Sequence, residues 1–203
     1  MNLSAYKHHQ DFFDSKAASW KLSVNHQQFI KRLEKLIGFN ATDVVLDIGC
    51  GTGNLFPYLQ DRIPAGRLIG IDFAYNMLYR CRDKLQRRNI ALQSMAEILP
   101  IRSASVDVVI NYCLYPHLKF KHAALREFNR VLRQGGRYYI LHPQGSAEIN
   151  SLHRDIGKPV CCDVIEPVKS VVELLQANGF SVLKAIDRCD MFLVEAVKSG
   201  IFK

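Results

Sequence analysis

Two periods of hydrophobic positions alternate along this 203-residue chain. Phe29, Ile30, Leu33, Leu36 and Ile37 recur three and four residues apart, the mark of a helix over 24–37, with Gly38 placed as a C-terminal cap. "DVVLDIG" is too short and too β-branched for a helix and reads as a buried strand. "NLFPYLQDRI" is helical, with Pro57 tolerated in its first turn. "RLIGID", "IALQSM", "SVDVVINY" and "RYYILH" read as strands. "AYNMLYRCRDKLQR" is a helix that turns Met77, Leu78, Cys81 and Leu85 inward, and "KHAALREFNRVLRQ" is a helix stopped by Gly135 and Gly136. Residues 143–165 show no clear period and are expected to form a long connection. Pro167 then opens a helix ending near Gly179. "FSVLKAID" and "MFLVEAVK" are separated only by "RCD", which suits a hairpin and an antiparallel last strand.

Strands alternating with helices of this length imply βαβ units, a mostly parallel sheet and an α/β fold. The length favours one domain over 1–203: an N-terminal segment and helix (1–40), a core (41–142), and a loop, helix and hairpin (143–203). No apolar run approaches the roughly 20 residues that span a bilayer. The first fifteen residues lack a signal-peptide pattern, so the expectation is a cytoplasmic protein without membrane insertion.

Composition changes this picture little. Hydrophobic residues make up 48% and charged residues 23%, ordinary for a globular protein. The net charge of +8 raises the possibility of a nucleic-acid partner, but much of it lies in "YRCRDKLQRR", which reads as a solvated helix face. The six cysteines form neither a disulfide framework nor a CxxC zinc pattern; only the adjacent Cys161 and Cys162 stand out.

The chemistry concentrates in "VVLDIGCGTGNL". Asp47 closes the strand, and Gly49, Gly51 and Gly53 follow at alternate positions. Glycine lets the backbone turn sharply and approach a ligand closely. A dinucleotide loop would need glycine where Asn54 stands, and Asp47 would repel a pyrophosphate, so a ligand carrying an amino group or positive charge fits better. Asp72 ends the next strand, where its two acceptor oxygens match a ribose diol. An acid there also caps the following helix by itself; the DxGxGxG pattern upstream weighs toward the ribose.

These motifs, with "LIGIDFAYNMLYRCRDKL", "SMAEILPIRSASVDVVINYCLYPHL" and "LREFNRVLRQGGRYYILHP" in order, resemble the class I S-adenosylmethionine-dependent methyltransferases over most of the chain. The subgroup most resembled acts on quinones and related small molecules. The resemblance implies a Rossmann-like open sheet of seven strands, the last antiparallel, with helices on both faces. It also implies S-adenosylmethionine as cofactor and S-adenosylhomocysteine as product. Carried over by position, Asp47, Gly49, Gly51 and Gly53 would bind the methionine end and Asp72 the ribose. Phe73 and Met77 would wall the adenosine, Ala96 would present its N–H to the adenine, and Asn111 and Tyr112 would face the sulfonium. Many relatives carry an acid where Met95 stands; here that bond is absent or falls to Glu97. "HQDFFDSKAASW" resembles a segment that folds over the cofactor, which makes Phe13, Lys16 and Trp20 lid candidates.

Tyr115, His117 and His142 are the candidates for contact with the methyl acceptor, and His117 and His142 for catalysis, since imidazole titrates near neutrality. His142, Glu148, His153, Asp187 and Asp190 are a minority candidate for a metal; none is assigned, because the spacing is not HExxH. The chain lacks the Pro-Pro-aromatic turn of amino methyltransferases acting on bases. A small-molecule acceptor is therefore expected. The alternatives are an RNA or protein methyltransferase using the basic surface, or a non-catalytic cofactor binder. The oligomeric state stays open.

Overall fold

A computed structural model describes residues 6–199 of the chain. The single-domain reading over 1–203 also takes in residues 1–5 and 200–203, which lie outside the described residues.

The elements follow in the order α1 (Lys7–Lys16), α2 (Val24–Arg32), β1 (Val44–Ile48), α3 (Phe56–Arg62), β2 (Arg67–Asp72), α4 (Tyr75–Cys81) and β3 (Ile90–Gln93). Then come β4 (Val106–Tyr112), α5 (Lys121–Val131), β5 (Leu132–His142), α6 (Ser146–Ile156), α7 (Val168–Ala177), β6 (Phe180–Arg188) and β7 (Met191–Lys198). The seven strands form one sheet in the order β3-β2-β1-β4-β5-β7-β6. The first five are parallel, while β7 runs antiparallel to both β5 and β6. This is the Rossmann-like open sheet expected of the sequence.

Alternation along each strand builds a core on both faces. Leu46, Ile48, Ile71, Val109 and Ile140 pack on one side with Leu125 and Phe128 of α5 and Val171 and Leu175 of α7. Val45, Leu68, Val108, Ile110 and Leu141 face the other side, against Phe29, Phe56, Leu59 and Leu78 from α2, α3 and α4. The chain leaves β1 toward β2 and β3 and returns to β4 on the far side. The carboxyl ends of β1 and β4 therefore flank a crevice, the place where such sheets bind ligands.

Two elements differ from the sequence reading. The helix expected over 121–134 stops at Val131, because Leu132 pairs beside Val106 and the sheet extends back to claim 132–136 as the start of β5. The connection over 143–165 contains an eleven-residue helix, α6. Its large apolar positions, Ile149, Leu152 and Ile156, are only three and at helical spacing, and of this face only Ile149 and His153 are buried. Asp187 holds its start, accepting from the N–H and the hydroxyl of Ser146.

Candidate functional site

Strand parity aligns the site. Asp47 on β1, Asp72 on β2 and Tyr112 on β4 share the sheet face of Val45, Leu68 and Ile110, at the carboxyl ends of adjacent strands. All three line a cleft, together with Gly49, Gly51, Phe73 and Met77. Asp72 holds the glycine loop against β2: one carboxylate oxygen accepts from the Gly51 N–H at 2.8 Å, the other from the Ala74 N–H at 2.9 Å. The helix-cap contact and a position at the ligand cleft therefore coexist in one residue. Each oxygen keeps a lone pair for a further donor.

Asp47 is 1% exposed, and among the described residues its Oδ1 has no hydrogen-bond partner. Burial, reinforced by the charge of Asp72, pushes its carboxyl well above the usual range. Burial likewise raises Asp72 to about 6, against the lowering effect of its backbone donors. Buried acceptors of this kind ask for a donor, and an ammonium group supplies one. Gly51 adopts φ +54°, and a Cβ there would enter open space within the cleft. The donor set and the open backbone thus fit the amino-acid end and the ribose of S-adenosylmethionine.

A smaller slot adjoins this cleft, lined by Phe73, Met95, Ala96 and Glu97 with Leu114 and Leu118. Glu97 is already engaged: its carboxylate accepts from the Tyr6 hydroxyl, which itself accepts from the Lys119 N–H at 2.8 Å. Gly53 lies outside the lining. A Cβ there would strike Phe56 and Cys81, so its role is close packing of the turn.

Asn111 stands apart from the other residues read at the cofactor. It is fully buried on the opposite face, with its amide donating to the Tyr138 hydroxyl at 3.3 Å, and lines neither cleft. Successive strand residues point to opposite faces, so Asn111 and Tyr112 cannot both face the same ligand.

Helix α1 lies over the cleft. Gln10 donates to the Phe73 carbonyl, Asp14 accepts from the Asn76 N–H at the start of α4, and Phe13 packs edge-on against Phe73 and His117. Phe13 and Trp20 line both this cleft and a larger chamber, which Lys16 also lines. Phe12, Leu22, Ile149, Leu152 and Ile156 give this chamber apolar walls; His26, His117, His142 and His153 are its imidazoles. Among the described residues no carboxylate lines it.

The two histidines read as catalytic both stand in the chamber wall. His142 is buried and its Nε2 has no partner among the described residues; burial, with neighbouring histidines, lowers it to about 3, so it is neutral at physiological pH. His117 donates through Nδ1 to Asp163 at 2.7 Å. Burial lowers its pKa, against the raising effect of that carboxylate. Tyr115 is fully buried in the core and lines neither cleft nor chamber.

Asp163 is the residue that sequence reasoning missed. Its carboxylate accepts from His9 of α1 at 2.8 Å, from His117 and from Lys119 at 2.7 Å, and its carbonyl accepts from His153 of α6 at 2.5 Å. Burial alone would raise its pKa, but these donors hold it far below the carboxylate range. The partners lie 10 to 154 residues away, so no local pattern announces them.

Three of the five residues considered for a metal are otherwise engaged. Asp187 holds α6, Asp190 pairs with Arg32 and Arg188, and His153 donates to Asp163. Cys161 and Cys162 place their sulfurs 3.8 Å apart as free thiols. Arg80, Arg82, Arg87 and Arg88 are exposed and line neither the cleft nor the chamber. Among the described residues no helix is long and apolar enough to cross a membrane.

A family model described as "Methyltransferase domain" matches residues 46–140. The chain is 39% identical over 114 residues to a demethylmenaquinone methyltransferase of Lactococcus lactis, covering 53% of this chain and 43% of that one. It is 34% identical over 96 residues to a malonyl-[acyl-carrier protein] O-methyltransferase of Geobacter sulfurreducens, covering 46% of this chain and 36% of that one. The chain therefore spans less than half the length of these curated relatives. Among solved structures, a SAM dependent methyltransferase from Aquifex aeolicus superposes with TM-score 0.75 at 21% identity, over 91% of this chain and 98% of that one. The [4+2]-cyclase SpnF does so with TM-score 0.69 at 17% identity, over 86% of this chain and 81% of that one.

Proposed function

We propose that the chain is a class I S-adenosylmethionine-dependent methyltransferase that transfers a methyl group from this donor to a small, largely apolar acceptor held in the chamber walled by α1 and α6. One observation carries the reading: the cleft bearing the orphaned Asp47 oxygen and the open Gly51 backbone shares Phe13, Trp20, Leu22, His26, Cys113 and His117 with the apolar chamber. The two compartments adjoin across these shared residues.

When bound, the cofactor supplies an activated methyl group on a sulfonium. The protein's task is to hold both reactants and exclude water, and orientation alone is worth about 7–11 kcal/mol. Asp47 would accept from the ammonium, Asp72 from the ribose hydroxyls, and Phe73 and Met77 would flank the nucleoside. Met95 and Ala96 wall the slot beside it. Phe13 and Trp20 close the compartment from α1.

Isothermal titration with S-adenosylhomocysteine tests the cofactor half. Asp72→Ala should weaken binding by about 1–3 kcal/mol, and equal affinity in both proteins removes Asp72 from the site. A radiolabelled methyl-transfer screen over small aromatic and quinone-like acceptors tests the other half. Tight binding with no transfer to any acceptor favours a non-catalytic binder, a reading that SpnF keeps open because this fold carries more than one chemistry. Labelling of RNA or protein instead favours the macromolecular alternative.

A further inference from the structure

Methyl transfer to oxygen requires that a hydroxyl lose its proton, and the chamber holds a group built to take it. His117 sits in a single turn of 3-10 helix after β4, where cofactor cleft and chamber meet. Its Nδ1 is committed to Asp163, whose carboxylate is 2% exposed and ionised. That bond fixes the tautomer: Nδ1 carries the hydrogen, and Nε2 keeps its lone pair. Among the described residues Nε2 has no partner. The groups facing the ring are His9, His153 and Lys119 around the carboxylate, with Phe13 edge-on. Asp163 is itself overdetermined, by donors from α1, the His117 turn and α6. An apolar core would gain nothing from burying so many polar groups at one point, where an unpaired one is costly.

We propose that His117 is the general base of the transfer, that Asp163 is its positioning residue, and that the acceptor is a flat apolar molecule bearing an acidic hydroxyl, a phenol or enol. This rests on the methyltransferase reading and adds the acceptor atom. The O–H bond of the acceptor breaks, its proton forms a bond to Nε2, and the pair left on oxygen forms the new bond to the methyl carbon while the methyl–sulfur pair stays with sulfur. The imidazolium then loses its proton to solvent. The buried, unpartnered Nε2 of His142 stands in the same wall and meets a second polar group of the acceptor. The absence of any carboxylate among the described lining residues, with Lys16 and Lys21 in the wall, suits a ring system that becomes anionic as it reacts.

The first test needs no turnover. Nitrogen-15 correlation spectra of the wild-type protein should show His117 as the Nδ1–H tautomer with a bare Nε2, and Asp163→Asn should lose that preference. An Nε2–H tautomer in the wild type overturns the proposal. The second test compares 2-naphthol, which must lose a proton, with 2-naphthoate, which is already an anion. His117→Gln should slow methylation of 2-naphthol by about 10²–10⁴-fold and leave 2-naphthoate within tenfold. In the wild type the naphthol rate rises with pH through the imidazole pKa and levels off; in His117→Gln it keeps rising toward the ionisation of the naphthol itself. Asp163→Glu should recover part of the rate that Asp163→Asn loses. Equal loss on both probes, or none on naphthol, overturns the base while leaving methyl transfer in place. No turnover of either probe, with transfer to another acceptor in the screen, overturns the phenol or enol acceptor and leaves methyl transfer in place.

Discussion

Replacing Asp72 by asparagine should make the protein more stable relative to wild type as the pH rises, while impairing its ligand site. In the folded chain burial holds the Asp72 carboxyl protonated up to about pH 6, whereas the unfolded chain releases that proton near pH 4. Over that interval the folded state binds the extra proton, so wild-type stability falls by about 1.4 kcal/mol per pH unit. The fall is complete above pH 6 and amounts to about 3 kcal/mol. Asparagine has no charge to bury and escapes it. It has, however, only one acceptor oxygen where Asp72 serves both Gly51 and Ala74, so one backbone N–H loses its partner at a cost of about 1–3 kcal/mol at every pH. Asp72→Asn should therefore be the less stable protein at pH 4 and draw level with wild type by pH 7. Urea unfolding followed by circular dichroism at pH 4, 5, 6 and 7 reads this directly. A difference in unfolding free energy that stays constant across the series refutes the reasoning. Titration with S-adenosylhomocysteine at pH 7 should meanwhile show at least tenfold weaker binding.

Other consequences can be checked separately. Gly51→Ala forces a side chain into a left-handed backbone and the open cleft, so it should cost about 1–2 kcal/mol of stability and reduce cofactor affinity, measured by thermal melting and calorimetry. Asn111→Ala should lower stability by about 1–3 kcal/mol, by stranding the Tyr138 hydroxyl, with unchanged affinity for S-adenosylhomocysteine. A loss of affinity there would return Asn111 to the ligand site. Asp187→Ala removes the acceptor holding the start of α6; amide exchange over 146–156 should accelerate, with a loss near 1 kcal/mol in overall stability.

The parts of this molecule visible in its sequence are those encoded by near neighbours. The β2 strand from Arg67 to Asp72 and the reversed hairpin around "RCD" follow from local alternation and a short link. Asp47, Gly49, Gly51 and Asp72 were legible because the turn and its acids lie within a few residues of two strand ends. Alternation also contained a warning: adjacent Asn111 and Tyr112 could not both serve one ligand, and the packing assigns only Tyr112 to the cleft. Helix α6 escaped because its apolar face is only three large residues, Ile149, Leu152 and Ile156, set among polar neighbours. Asp163 escaped for a different reason. Its meaning lies in donors from α1, the turn after β4, the segment beginning α5 and α6, which only the folded topology gathers.

One oxygen of Asp163 accepts from both His9 and His117, and His9 belongs to the helix that roofs the site. The N-terminal helix and the turn after β4 are thereby tied through a single buried atom, so a change at either imidazole is felt directly by the other.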